Sequence, residues 1–152
     1  MIEVDKIDRE ILRLLQKDGR LTNAELASKI NLSPAASWKR LKKLEEGVIG
    51  GYHATVKREA LGLKLFAFVH VMLDVDSQEA MDRFEDAVLR LPNVLACHNV
   101  SGRYCYLLQV VVSDMDEYHE FSTKHLRVIG NIREMHTSFS LKQVKLSHVI
   151  PV

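Results

Sequence analysis

Lys39, Arg40 and Lys43 lie within two helical turns of one another, just after a pair of small residues, Ala35 and Ala36, that follow Ser33-Pro34. On a helix, Ala36, Lys39, Arg40 and Lys43 point roughly one way, with Lys42 at the margin. Trp38, Leu41, Leu44 and Glu45 share the other side, with Ser37 and Val48 near its edge. Such cations suit phosphate, and small residues near the start of a helix let it approach base edges in a major groove. The candidate DNA contacts are therefore Ser33, Ala35, Ala36, Ser37, Lys39, Arg40 and Lys43. The same pattern also describes an amphipathic core helix with a solvated charged face.

The flanking residues favour DNA. Thr22, followed three residues on by Glu25, is a capping box, and Leu21 and Leu26 stand where a hydrophobic staple places its partners. Asn31-Leu32-Ser33 reads as a tight turn, Ser33 as the next N-cap, and Pro34 falls where a missing N–H costs nothing. The stretch 21–48 is thus a helix-turn-helix with the cationic helix second, ending at Gly47. Before it, 5–17 carries Ile7, Ile11, Leu12, Leu14 and Leu15 at helical spacing and ends at Asp18-Gly19. After it, two glycines (Gly50 and Gly51) between short β-prone runs predict a wing and a linker strand, with Lys57 and Arg58 near the DNA backbone or simply part of a charged linker.

From Leu63 the apolar period changes from 3.6 to 2. The pattern predicts a strand over 63–74 and a helix over 77–91 with Met81, Phe84, Val88 and Leu91 inward. Strands follow over 94–100 and 104–112, joined around Ser101-Gly102-Arg103. A helix over 114–129, with Met115, Tyr118, Phe121 or Ser122, His125 and Val128 inward, precedes a last strand over 132–144. Strand-helix-strand-strand-helix-strand is the ferredoxin-like order. The fold class is α+β: a winged helix-turn-helix over 1–50, a linker over 51–62 and a ferredoxin-like βαββαβ domain over 63–152. Leu65, Ala67, Val69, Val71 and Leu73 oppose Phe66, Phe68, His70 and Met72. In the other central strand Tyr104, Tyr106, Leu108, Val110 and Val112 oppose Cys105, Leu107, Gln109 and Val111. Strands apolar on both sides are covered on both sides. Helices cover one, so a second copy of the chain is expected on the other, presenting two helix-turn-helix units to two half-sites of double-stranded DNA.

Charge and composition agree with this reading. Residues 1–58 carry 12 Lys/Arg and 8 Asp/Glu, a net +4, and the remainder a net −3, so the first part faces a polyanion. The charged start MIEVDKIDRE is no signal peptide, and the longest apolar run, 65–73, is too short to span a bilayer. A cytoplasmic protein with no membrane partner is expected. Cys97 reads as core and Cys105 as a packed side chain rather than a redox sensor. The seven histidines show no metal-site spacing. No phosphate-cradling loop, nucleophile elbow or task-bearing carboxylate pair is present, so neither an enzyme nor a cofactor is expected.

Five stretches, IDREILRLLQKDGRLTNAELA, NLSPAASWKRLKKLEEGVIGGY, LPNVLACHNVSG, YLLQVVVSDMDEY and TSFSLKQVK, together make the chain resemble the Lrp/AsnC family over nearly its whole length. The resemblance implies dimers that assemble into octamers or similar rings, and transcriptional control in response to amino acids or related small metabolites. It places the DNA-contacting helix at 33–44. An effector pocket between dimers falls around Ser101, Gly102, Arg103, Tyr104 and Tyr106 and the facing Thr137, Ser138 and Ser140. The family's Gly-Asp-x-Asp-Tyr pattern is here Gly102-Arg103-Tyr104-Cys105-Tyr106. An acidic group suits an effector's ammonium; Arg103 has the opposite sign and suits a carboxylate. The sirohaem decarboxylases resemble the same architecture and give the alternative, an enzyme using His and Arg around a tetrapyrrole with no need of a basic helix.

Overall fold

The computed structural model describes residues 2–74 and 77–152. The chain forms two compact units: the residues up to Thr55 together with Val144–Val152, and Val56–Gln143. The residues after Gln143 pack with the first unit.

The first unit holds α1 (Lys6–Lys17), α2 (Asn23–Lys29) and α3 (Pro34–Gly47). Asp5 caps α1 in a reciprocal box with Asp8, Thr22 and Glu25 form the expected box on α2, and Ser33 Oγ accepts the Ala36 N–H at 3.3 Å to start α3. Ile11, Leu12 and Leu15 of α1 meet Leu26, Leu41 and Leu44 in one core, with Val152 packed at its margin. Gln16 holds the distant segment with two hydrogen bonds: its Nε2 donates to the Ile150 carbonyl at 3.0 Å, and its Oε1 accepts the Ile150 N–H at 2.6 Å.

One member of the apolar stripe of α1 is charged. Asp8 lies one turn before Ile11 and Leu12 and is fully buried. A carboxylate in that position must be paired. Arg40 Nη1 donates to Asp8 Oδ1 at 2.7 Å and to Asp5 Oδ2 at 2.6 Å, and Lys43 Nζ donates to Asp8 Oδ2 at 3.1 Å. Burial alone raises the Asp8 pKa; the hydrogen bonds from Arg40 and Lys43 outweigh it and hold the carboxyl below its ordinary range. The contact fixes the roll of α3 against α1. It seats Ser37, Leu41 and Leu44 inward and leaves Trp38 exposed, against the expected packing side. At about 100° per residue, Trp38 falls outside a stripe that runs 37, 41, 44.

The expected wing is absent: no strand forms between Val48 and Lys57. Residues 52–57 are all exposed, so the segment buries no apolar face, and a two-stranded hairpin without one is marginal.

The second unit is a four-stranded antiparallel sheet in the order β2-β3-β1-β4: β1 Leu65–Leu73, β2 Val94–Asn99, β3 Tyr106–Val112 and β4 Ile132–Phe139. With α4 (Gln78–Val88) and α5 (Met115–Phe121) it forms the expected ferredoxin-like unit. Ala67, Val69, Val71 and Leu73 join Tyr106, Leu108, Val110 and Val112 in a core with Phe84, Val88, Tyr118, Phe121 and Leu126. Phe66, Phe68, His70 and Met72, on the opposite side of β1, are half-buried. Two boundaries moved for local reasons. β4 stops near Phe139, which opposes Ala67, and Ser140 N–H donates to the Phe66 carbonyl at 2.8 Å beyond it. The helix predicted over 114–129 turns π-helical at Ser122–Leu126, where the Ser122 and Thr123 hydroxyls bond the His119 carbonyl. The wider turn moves the buried stripe from Phe121 to Leu126, so His125 and Val128 face solvent; Met115, at the helix start, is also exposed.

Asp8→Asn should lower the stability of the first unit by about 2–3 kcal/mol at neutral pH, the low side of breaking a buried pair because both cations reach solvent. Because the folded pKa of Asp8 is depressed, its contribution is present above the ordinary carboxylate range and is lost as pH falls through the folded value. Amide exchange in α1 and α3 should therefore accelerate in acid in the wild type and less so in the variant. Equal protection of both proteins at pH 7 would exclude this role.

Candidate nucleic-acid interface and effector turn

With α3 rolled as described, its outward row is Ala35, Lys39 and Lys42, flanked by Ala36 and Trp38, all exposed. Lys39 makes no ion pair among the described residues. Lys42 lies 4.8 Å from the Trp38 ring centroid and 3.4 Å from Glu45. Three of the expected contacts differ. Ser37 is fully buried, with its hydroxyl unpartnered among the described residues, because it fills the core position one turn before Leu41. Arg40 and Lys43, read as phosphate contacts, are turned to α1 and held by Asp5, Asp8 and the Glu3 carbonyl. Ser33 spends its side chain on the cap. Asn23 Nδ2 donates to the Pro34 carbonyl at 2.9 Å and ties the start of α2 to the start of α3. Asp8 was missed, although an Asp in phase with Ile11, Leu12 and Leu15 was a legible signal that cations must come from elsewhere. In the second unit Arg58 also serves structure: its guanidinium donates to the Leu63 and Lys64 carbonyls and lies over Phe66.

The turn expected to bind an effector is the loop between β2 and β3, closed by Val100 N–H donating to the Cys105 carbonyl at 2.9 Å. Gly102, at φ +128°, takes a backbone conformation that side chains resist, and Ser101, Gly102 and Arg103 are exposed. The Arg103 guanidinium, expected to be open to a ligand carboxylate, already has one: Nη2 lies 2.9 and 3.3 Å from the Glu134 oxygens. Tyr104 hydroxyl donates to Glu134 Oε1 at 3.1 Å. Those hydrogen bonds, from Tyr104 and then Arg103, hold Glu134 below the ordinary carboxylate range. Glu134 stands opposite Met72 on β4, a juxtaposition that only the strand register reveals.

Tyr104 leaves the strand alternation. Its ring packs 5.2 Å from that of His70, which in turn faces His136 at 6.0 Å on the neighbouring strand. Tyr106 goes the other way, into the core against Phe84, where burial and then the hydrogen bond it donates to Glu85 at 2.7 Å push its hydroxyl up to about 12. Thr137 is likewise committed, its hydroxyl bonded to that of Tyr118 beneath the sheet. The turn therefore gathers Ser101, Gly102, Arg103 and Tyr104 with Glu134. Tyr106 and Thr137 lie on the helix side, and Ser138 opposes Phe68 on the other side. Cys105 packs at the edge of the core, as expected. Cys97 lies on β2 at the surface rather than in the core; its thiol is pushed up to about 11 by desolvation from the atoms packed around the sulfur and then by nearby Glu85. No helix among the described residues is long and apolar enough to cross a membrane.

Residues 4–47 match the family described as winged helix-turn-helix DNA-binding, and residues 66–150 match the Lrp/AsnC ligand binding domain. The chain is 37% identical over 150 residues to the DNA-binding transcriptional activator DecR of Escherichia coli, covering 98% of this chain and 99% of that one. It is 35% identical over 147 residues to the leucine-responsive regulatory protein of the same organism, covering 96% and 90%. A solved transcriptional regulator of Neisseria meningitidis in complex with L-methionine superposes with a TM-score of 0.93 at 35% identity, over 98% of this chain and 97% of that one.

Because Trp38 is half exposed, Trp38→Ala should cost less than about 1 kcal/mol of stability. Leu44→Ala, at a fully buried position, should cost about 2–5 kcal/mol. Circular dichroism melts of the two variants check the roll of α3; similar losses would contradict it.

Proposed function

The chain belongs to the Lrp/AsnC family and is a DNA-binding transcriptional regulator, and from that premise we propose which of its residues read DNA and which sense the effector. The outward row of α3 carries the first reading. Ala35 and Ala36 near the helix start allow close approach to base edges, while Lys39 and Lys42 meet phosphate. Arg40 and Lys43 hold the helix in position from behind. A second copy of the chain covers Phe66, Phe68, Met72 and Leu107, the apolar centre of the sheet face that the helices leave bare, so that two α3 helices meet two half-sites. The tetrapyrrole-enzyme alternative leaves the outward cations of α3 without a task, and we set it aside.

The effector is an amino acid, recognised at both ends by the Arg103–Glu134 pair. The guanidinium takes the carboxylate in fork geometry, and Glu134 supplies, from the facing strand, the acidic group that the turn itself lacks. Binding then splits an ion pair already made, so the ligand must carry both charges.

In salt titrations of duplex binding, Lys39→Ala should reduce the slope of log K against log salt by about 0.9. Arg40→Ala should leave the slope near its wild-type value and lower the melting temperature. An equal loss of slope in both would show that Arg40 leaves Asp8 for phosphate. In calorimetry against the common amino acids, Glu134→Gln should weaken binding by roughly tenfold or more, and N-acetylation of the ligand should abolish it. An N-acetylated ligand that binds as tightly as the free amino acid would refute the role of Glu134.

A further inference from the structure

The largest side chain of α3 lies outside its packing stripe. Trp38 is 50% exposed, while the adjacent Ser37 is fully buried. Leaving an indole half in water forgoes apolar burial that a neighbouring position on the same helix obtains. The ring is not free to wander: the Lys42 ammonium, one turn on, lies 4.8 Å from its centroid and holds it along the outer surface. Ala35, the neighbour one turn back on the same surface, is exposed and carries only a methyl group. Trp38 therefore offers an apolar plate, a cation beside it and an open approach, on the helix that enters the groove.

The apolar group that base edges present in the major groove is the thymine C5-methyl. The one polar group of an indole is a donor. It faces an acceptor at thymine O4 and another donor at the cytosine amino group. We propose that Trp38 is a specificity-determining residue, its indole lying against thymine methyl groups in each half-site while Lys42 meets the adjoining phosphate. The inference rests on the DNA-binding reading above and adds to it the base that is chosen.

The test uses the full-length chain and a duplex selected by it from a random pool, with thymidines replaced one at a time by deoxyuridine, which removes only the methyl group. At one or two positions per half-site the replacement should weaken wild-type binding roughly three- to tenfold. Trp38→Ala should lose a similar factor on the unmodified duplex and become insensitive to the replacement at those positions; Trp38→Leu, which keeps an apolar side chain, should retain part of the sensitivity. Trp38 is the sole tryptophan, so its emission should also change when the unmodified duplex binds. Equal deoxyuridine effects in wild type and Trp38→Ala, or none at any position, would overturn the inference and leave the regulator reading intact. A wild-type chain that binds no duplex at low salt would overturn both.

Discussion

The first unit depends on a carboxylate that has no business among leucines. Asp8 is buried in the stripe of α1 and is tolerable there only because α3 brings Arg40 and Lys43 to it. Apolar contacts between helices are non-directional and leave the rotation of one cylinder on another weakly defined. Two charge-assisted hydrogen bonds to one carboxylate define it sharply. Ser37 is buried, Trp38 is exposed, and Lys39 and Lys42 are left on the outside as a consequence. A buried pair of this kind adds little net stability over an apolar replacement. Its contribution is to orientation, which is what a groove-reading helix requires.

The second unit applies the same separation of tasks to a sheet. Alternation along β1 and β3 sends one set of residues into the core with α4 and α5 and leaves the other half-buried, Val111 excepted. The loop between β2 and β3 lies at the end of this arrangement, where alternation stops. Tyr104 and Tyr106, two residues apart, go to opposite faces because the hairpin loop intervenes. The Arg103–Glu134 pair joins that loop to β4.

Much of this was legible from residue order alone. Caps are local chemistry, and the Thr22–Glu25 box and the Ser33 cap with Pro34 formed as read. The strand order followed from a change of period, and the family from motifs spread along the chain. What escaped was whatever depends on a partner distant in sequence. Arg40 and Lys43 are indistinguishable from Lys39 until Asp8 is seen to be buried. Arg103 reads as a free cation until the register sets Glu134 beside it. The π turn at Ser122–Leu126 escaped for a local reason: hydroxyls bonding back to the His119 carbonyl widen the helix by one residue, and the 3.6 period gives no warning of it. The wing failed because β-prone residues around glycines form a hairpin only where one face can be buried.

The hydrogen bonds between Gln16 and Ile150 close a loop of 134 residues. The first unit is thus discontinuous, with the whole second unit inserted between its three helices and the segment that finishes their surface. Its helical trio is built from local contacts that form quickly, whereas the closing segment must wait for a long-range encounter. Refolding of this half should accordingly be biphasic, an early helical species followed by a slower docking of 144–152 whose rate responds to the length and stiffness of everything in between.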